Sequence, residues 1–563
     1  MSQIDWLVLG LTLSLIIVYG LWKSRATKNV EGYLLANREL PWYHIGLSVM
    51  ATQASAITFL SGPGQGFSDG MRFIQFYFGL PLAMVVLCIT FVPILHKLNV
   101  YTAYEYLEKR FDNKTRTLTA ALFLLQRGLS TGITIYAPAI ILSTILSIDI
   151  RLTILMNGLL VITYTVYGGA KAVSYTQMLQ MGIIFSGLFI AAYMVMDHLP
   201  ENIKLSDALH IAGKMDKLNA IDTKFDLDNR YNIWSGIIGG FFLQLSYFGT
   251  DQSQVGRYLT GSSVNQSRMG LIMNALVKIP MQFVILLIGV LVFVFYQFHS
   301  QPMFFNQTEI NRIENSTYAS QYHALEREFI LANSEKKKGV EQLAEAIHAD
   351  DQMKMDLASE QVKAAEKKSK TIRDSARHLM TINHAAADTN DSNYVFLIFV
   401  TKHLPVGIVG LLIAVIFLAS MGSTASGLNS LASTTAVDFY KRIYRKDASE
   451  AQYLKASRWS TFFWGLFCVV VALFASKLGN LIEAVNILGS LFYGTILGIF
   501  MVAFYMKWIG GKAVSVAAIV AELFVVLAWM MDLTAFLWLN LIGCLLVMLI
   551  AALLQKRLDI KKA

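Results

Sequence analysis

A chain of 563 residues that is 55% apolar, only 15% charged and has a mean hydropathy of +0.50 is not a string of three or four soluble domains. Its net charge of +9 sits in basic loops between apolar runs, so its partner is the lipid bilayer and not nucleic acid. A β-barrel is excluded as well, because barrel strands alternate and are about half as long as these runs.

About thirteen apolar stretches are long enough for the ~20 residues that cross ~30 Å of hydrocarbon, which predicts an all-α integral membrane protein. The first, Trp6 to Trp22, lacks the basic leader and small-residue cleavage site of a signal peptide and reads as a retained helix. Lys23, Arg25 and Lys28 follow it, which places the N-terminus outside. Alternation then puts the basic loops in the cytoplasm: Lys97 with Lys109, Arg110, Lys114 and Arg116; Arg257 with Arg268; and Lys441, Arg442, Arg445 and Lys446. The C-terminal tail with Lys556, Arg557, Lys561 and Lys562 falls on the cytoplasmic side too. Cys88, Cys468 and Cys544 lie inside apolar runs without metal-like spacing, so no disulfide or zinc site is expected.

The second span is interrupted. Ser48 to Ser61 is rich in small and polar residues and is expected to end at Gly62-Pro63-Gly64. Residues 197–231 form a polar outer loop. The seventh span carries Gly249-Thr-Asp-Gln-Ser-Gln late in an apolar helix. Asp251 there either pairs with Arg257 at the membrane surface or carries a coupled proton, and Lys278 is expected to snorkel to the cytoplasmic headgroups. Residues 300–390 are a second polar segment with no proline between Pro302 and Pro405, which favours a helical hairpin serving as a solvated insertion, a docking site for a partner, or a gating cap. Asn306-Gln-Thr and Asn315-Ser-Thr match the glycosylation sequon. The ninth span, Ala419-Ser-Met-Gly-Ser-Thr-Ala-Ser-Gly-Leu-Asn-Ser, holds a density of hydroxyls suited to a hard cation or to close helix packing.

No phosphate-binding loop, His/Glu/His metal spacing or clustered acid pair is present, so an enzyme or ATP-driven pump is not expected. The two interrupted spans hold corresponding places in two five-helix halves with opposite membrane orientation, as in transporters whose site lies at the repeat interface. A solute sensor on the same fold is the alternative from another class. The nine-residue tail Gln555 to Ala563 looks too short to signal.

Several motifs together resemble the sodium:solute symporter family: Asn37-Arg-Glu-Leu-Pro, Thr102-Ala-Tyr-Glu-Tyr-Leu-Glu-Lys-Arg-Phe, Ile135-Tyr-Ala-Pro-Ala, Tyr167-Gly-Gly-Ala-Lys-Ala-Val, Gly249-Thr-Asp-Gln-Ser-Gln-Val-Gly-Arg-Tyr, Leu404-Pro-Val-Gly-Ile-Val-Gly-Leu and Val437-Asp-Phe-Tyr. The resemblance implies a five-plus-five inverted repeat of the leucine-transporter type with one extra helix before the core (1–24) and two after it (513–554). The repeats are then 43–196 and 232–508, the second holding the insertion at about 300–390, with a short cytoplasmic tail, 555–563. The implied function is import of a small organic or anionic solute by sodium-coupled alternating access, with proton coupling as the alternative.

The resemblance further implies a sodium site made by Ala51 and Ala54 on the first core helix and by Ala419, Gly422 and Ser423 on the eighth. Gly422 lacks the hydroxyl the pattern asks for, so Thr424, Ser426 or water must substitute. A second ion would need an acid where this chain has Gln177 and a hydroxyl where it has Ala425, which predicts one sodium per cycle. For the substrate cavity the resemblance implies Gln53, Gln244 and Tyr247, with Tyr77, Tyr136, Phe248 and Asp251 as further lining.

Overall fold

The computed structural model describes residues 1–24, 30–146, 148–385 and 387–560. Arg25, Lys28, Lys561 and Lys562, used above for orientation, lie outside them. The described chain is helical throughout, with one isolated bridge, Leu40 to Gly261.

Nine of the described helical stretches are long and apolar enough to span a membrane. The other four of the expected thirteen are the first, fourth, sixth and ninth core helices, which are broken, short or polar. The fourth and fifth core helices share one helical run of 48 residues, Ile150–Asp197. Straight, it would reach about 72 Å at ~1.5 Å per residue, far more than a bilayer. The chain instead folds back within it. Tyr164 Oη and Thr176 Oγ1 lie 2.8 Å apart, although twelve residues of straight helix would separate them by about 18 Å.

The extra N-terminal helix, Gln3–Ser24, is docked by its own acid. Asp5 is 2% exposed, and its Oδ1 accepts the N–H groups of Gly407 (2.6 Å) and Gly410 (3.1 Å) at the start of the eighth core helix, Ile408–Thr434. These donors have no partner inside their own helix, so the carboxylate satisfies them from a neighbour.

The first core helix does not end at Gly62-Pro63-Gly64. Its outer half runs from Ala56 through Pro63 to Asp69, and the glycines serve contact instead. A Cβ on Gly64 would stand 2.0 Å from Ser392 O, one on Gly66 2.3 Å from Leu286 O, and one on Gly289 of the seventh core helix, Val264–Phe298, 2.0 Å from Pro63 O. The backbones of the first and seventh core helices touch here, which no side chain would permit.

The 300–390 segment folds as an antiparallel hairpin, Ala319–His348 and Gln352–Asn383. Phe329, Ala332, Val340 and Leu343 on one arm and Met355, Ala358, Val362 and Ile372 on the other are buried. It is tied to the outer loop by Lys214 with Asp356 (2.8 Å) and His348 with Asp207 (3.2 Å). At its base Asp391 accepts from Arg373 (2.6 Å) and Arg377 (3.1 Å). Asn306 is buried and caps a helix through the Thr308 N–H, so that sequon is closed to a glycan, whereas Asn315 is exposed. The three cysteines are free and buried.

Candidate functional site

The first core helix runs Trp42–Gln53, breaks at Ala54 and Ser55, and restarts at Ala56. The Ser55 N–H bonds to Gln53 O at 3.0 Å and the Thr58 N–H to Ser55 O at 2.9 Å. In an unbroken helix those two donors would close on Ala51 O and Ala54 O, so both carbonyls lose their helical partners. Ala51 and Ala54 are 2% and 0% exposed. A carbonyl freed at such depth must face a donor, water or a cation.

Opposite the break is the hydroxyl-rich eighth core helix, reached through Thr52 Oγ1, 3.0 Å from Ser426 Oγ. Ser423 is half-buried, and its hydroxyl donates to Ala419 O (2.9 Å) and Ser420 O (3.1 Å). Thr424 Oγ1 is buried with no hydrogen-bond partner. Gln177, on the fifth core helix, spans the junction. Its Nε2 faces Gly422 O (3.0 Å), Ser426 Oγ (2.9 Å) and Thr52 Oγ1 (3.2 Å), while its Oε1 accepts the Ser48 hydroxyl at 2.6 Å. An amide with two N–H groups thus sits among three oxygens.

Gly422 has a spatial explanation. A Cβ there would stand 2.5 Å from Gln180 Oε1 and 3.4 Å from Gln177 Cγ. The room a serine would use is taken by Gln180, which is 1% exposed and has neither amide atom hydrogen-bonded. An oxygen therefore stands beside residue 422 after all, delivered from the fifth core helix. Sequence reading missed it. The available signal was a second glutamine three residues after Gln177, on the same helix face.

The sixth core helix breaks at Asp251, between Gly240–Thr250 and Gln252–Tyr258. Asp251 Oδ1 caps the restart by accepting the Ser253 N–H at 2.8 Å. Its other oxygen accepts Tyr493 Oη (2.8 Å) and pairs with Arg127 of the third core helix, Asn113–Leu146. Its partner is thus Arg127 and not Arg257, and it is not at the surface, being 1% exposed. The freed carbonyl of Thr250 accepts Tyr104 Oη at 2.8 Å.

Between the breaks lies a cavity of about 90 Å³, lined by Gln53, Ser55, Tyr77, Arg127, Tyr247 and Tyr493 among others. That volume is small beside the ~300 Å³ and more of ordinary ligand pockets. The Arg127 guanidinium carbon lies 5.5 Å from the Tyr247 ring centroid, and Gln254 Nε2 donates to Tyr247 Oη at 2.6 Å. Two buried groups at this wall, Arg127 Nε and Gln53 Oε1, have no hydrogen-bond partner among the described residues. Gln53, Tyr77 and Tyr247 therefore meet in one place. Gln244 and Phe248 are fully buried beside it without lining it, Asp251 acts through Arg127, and Tyr136 lies in a separate cavity under the insertion.

Lys278 does not snorkel. It is fully buried, its Nζ stands 5.8 Å from the Tyr77 ring centroid, and it has no hydrogen-bond partner among the described residues. Asn274 and Gln282, one turn to either side, are also fully buried, so this stripe of the seventh core helix faces protein and not lipid.

The model of the sodium:solute symporter family matches residues 33–319 and 374–521. The chain is 30% identical to the human (Homo sapiens) sodium/iodide cotransporter over 52% of its own length and 45% of that protein. It is 25% identical to the sodium-dependent multivitamin transporter of Oryctolagus cuniculus over 90% of its length and 66% of that protein. It spans less than two thirds of either relative. A solved substrate-bound, outward-open Na+-coupled sialic acid symporter superposes with a TM-score of 0.75 at 22% identity, covering 99% of this chain and 98% of that one. The fold is accordingly the five-plus-five inverted repeat of the leucine-transporter type.

Proposed function

Since the chain belongs to the sodium:solute symporter family, we propose that it imports a small organic solute bearing a carboxylate or similar anionic group, driven by sodium. The observation that carries this reading is the pair of carbonyls freed at Ala51 and Ala54 opposite a hydroxyl-rich helix. Sodium is the coupling ion, and it takes oxygen ligands. Ala51, Ala54 and Ala419 supply backbone carbonyls and Ser423 a hydroxyl, with Gln180 Oε1 in the room beside Gly422. Thr424, whose hydroxyl is unpartnered, is the nearest reserve in sequence, while Ser426 is already engaged with Gln177.

For the solute, Arg127 Nε–H offers a donor and Gln53 Oε1 an acceptor in the central cavity, with Tyr77 and Tyr247 as aromatic walls. A carboxylate suits the guanidinium. Iodide and sialic acid, in the names of similar proteins, are anionic as well. Gln244 and Phe248 support the wall from behind. Repeats 43–196 and 232–508 rock about the two breaks, so that the site opens alternately to each side. Ion and solute favour the same open form, and each raises the affinity of the other by the same factor. The chain start and the insertion share one face through the Asp5 contact at Gly407. We place that face outside and the basic loops in the cytoplasm. Proton coupling through Asp251 is the weaker reading, because its carboxylate is already held by Arg127 and Tyr493.

Proteoliposomes loaded against an inward sodium gradient and offered a panel of labelled carboxylates, sugars and halides test this reading. Uptake of at least one carboxylate that vanishes without sodium is expected. Uptake that persists without sodium but collapses with the pH gradient would replace the coupling ion.

A further inference from the structure

A larger cavity, of about 430 Å³, lies outside the transport path described above, where the hairpin folds over the outer end of the first core helix. Six basic side chains line it: Lys217 from the outer loop, Lys336 from one hairpin arm, and Lys363, Lys370, Arg373 and Arg377 from the other. Positions 363, 366, 370, 373 and 377 recur at three and four residues, so they form one stripe of the Gln352–Asn383 helix. The adjacent stripe, with Val362 and Ile372, is spent on packing against the other arm. A helix in a solvated insertion would turn its charges to water. Here the stripe borders a void, with Arg373 and Arg377 half-buried on its wall and Lys363 and Lys370 exposed at its rim.

The carboxylates do not balance it. Within the wall only Asp69 and Glu366 are acidic. Glu366 is bound to Lys336 at 3.0 Å, Asp216 just outside holds Lys363 at 2.7 Å, and Asp391 serves both Arg373 and Arg377. Asp374 also holds Arg377 at 3.1 Å, so six cations face five anions, and among the described residues Lys370 has no ion-pair partner. Lys217 donates to Phe67 O (2.9 Å) and Ser68 O (2.6 Å) at the end of the first core helix. The remaining surface is apolar, from Phe67, Met215, Phe293 and Phe329. Like charges gathered about a roomy, partly apolar void repel one another, and an anion placed among them removes that cost.

We propose that this cavity is a second ligand site, separate from the central one, that takes an organic anion carrying a phosphate or carboxylate group beside an apolar portion. The positive wall holds the anionic group and the phenylalanine floor takes the apolar part. Burial, which outweighs the pull of Glu366 and Asp69, pushes Lys217 down to about 8, with Lys370 and Lys336 adding to the shift. The same chemistry is offered by a soluble organic anion and by the headgroup of an anionic lipid.

The test uses the full chain in nanodiscs of neutral lipid, titrated calorimetrically with phenyl phosphate and with inorganic phosphate. Phenyl phosphate is expected to bind, inorganic phosphate to bind more weakly for want of the apolar contact, and Lys363→Glu/Lys370→Glu to weaken phenyl phosphate by at least about tenfold. These two side chains are exposed, so the melting temperature without ligand should hold and exclude misfolding. Gln53→Ala, in the central cavity, should leave phenyl phosphate binding unchanged. Repeating the titration in nanodiscs containing phosphatidylglycerol separates the sources: retained binding assigns the site to a soluble anion, and competition assigns it to the lipid headgroup. Phenyl phosphate that fails to bind, that binds the double variant equally well, or that is lost only in Gln53→Ala overturns the proposal.

Discussion

The two helix breaks share a geometry and differ in electrostatics. At Ala54–Ser55 the chain opens on small uncharged residues, and the buried carbonyls of Ala51 and Ala54 are negative poles that have lost their helical partners. At Asp251 the chain supplies everything itself: the acid caps the restarting helix, Arg127 and Tyr493 hold the acid, and Tyr104 takes the carbonyl of Thr250. One break leaves carbonyls open, and we propose that sodium completes it. The other is complete and needs none. Inverted repeats thus put equivalent discontinuities to unequal use, and the difference lies in side chains arriving from other helices.

The sharpest way to break this contrast is to unfinish the second break. Arg127→Met leaves the Asp251 carboxylate buried without a cation, which costs about 3–5 kcal/mol, so the melting temperature should fall and uptake should cease. The matched pair Arg127→Met/Asp251→Leu should recover most of the thermal stability without uptake. A single variant that melts and transports like the parent would show that the break does not depend on the pair.

Next in size is the loss of an oxygen at the first break. Gln180→Leu should raise the sodium concentration for half-maximal uptake about tenfold, roughly 1.4 kcal/mol, and Ser423→Ala should raise it several-fold. Unchanged sodium dependence in either would remove that residue from the site.

Stoichiometry sharpens the comparison further. Gln177 already places an amide nitrogen among Gly422 O, Ser426 Oγ and Thr52 Oγ1, where a second cation would otherwise find oxygens. Two unit charges ~10 Å apart also repel by about 1.7 kcal/mol at an effective dielectric of ~20, with no acid at Gln177 to offset it. Reversal potentials in proteoliposomes should report one sodium per solute, and a clear value of two would refute this.

The smallest effect lies outside both breaks. Burial, helped by Glu309 and opposed by the Tyr394 hydrogen bond, pushes Asp388 up to about 7. Its protonated form is bound in the folded chain and absent from the unfolded one above about pH 4, so this contribution to stability is full below that pH and lost as pH rises through about 7. Amide exchange around residues 384–391 should quicken across that range while exchange at the two breaks does not.

Much of this was legible in sequence, for identifiable reasons. Breaks announce themselves as polar or small residues inside apolar runs, which is how 48–61 and 249–254 were found. Their depth along the helix follows, but their facing does not. Lys278 looked like a snorkelling lysine because sequence gives its height in the bilayer and not the side of the helix it occupies. The stop expected at Gly62-Pro63-Gly64 failed because glycine marks close backbone contact as readily as termination. Arg127 carries no local pattern, and the Gln177/Gln180 spacing gives a shared face but not the helix it meets, since each residue matters only through a helix distant in sequence. The turn within Ile150–Asp197 shows in the Tyr164–Thr176 hydrogen bond.

The glycine contacts between Gly64, Gly66 and Gly289 and their neighbours have a kinematic meaning. Backbones that touch cannot slide past one another, so the outer half of the first core helix is welded to the seventh core helix and to the Ser392 segment at the hairpin's foot. The inner half is held to the same helix, because a Cβ on Gly46 would stand 3.0 Å from Gly270 O and one on Gly270 3.0 Å from Trp42 O. Both halves of the first core helix are thus locked to the seventh, and Gly64→Val, which forces the outer contact apart, would loosen the hairpin's foot from that unit.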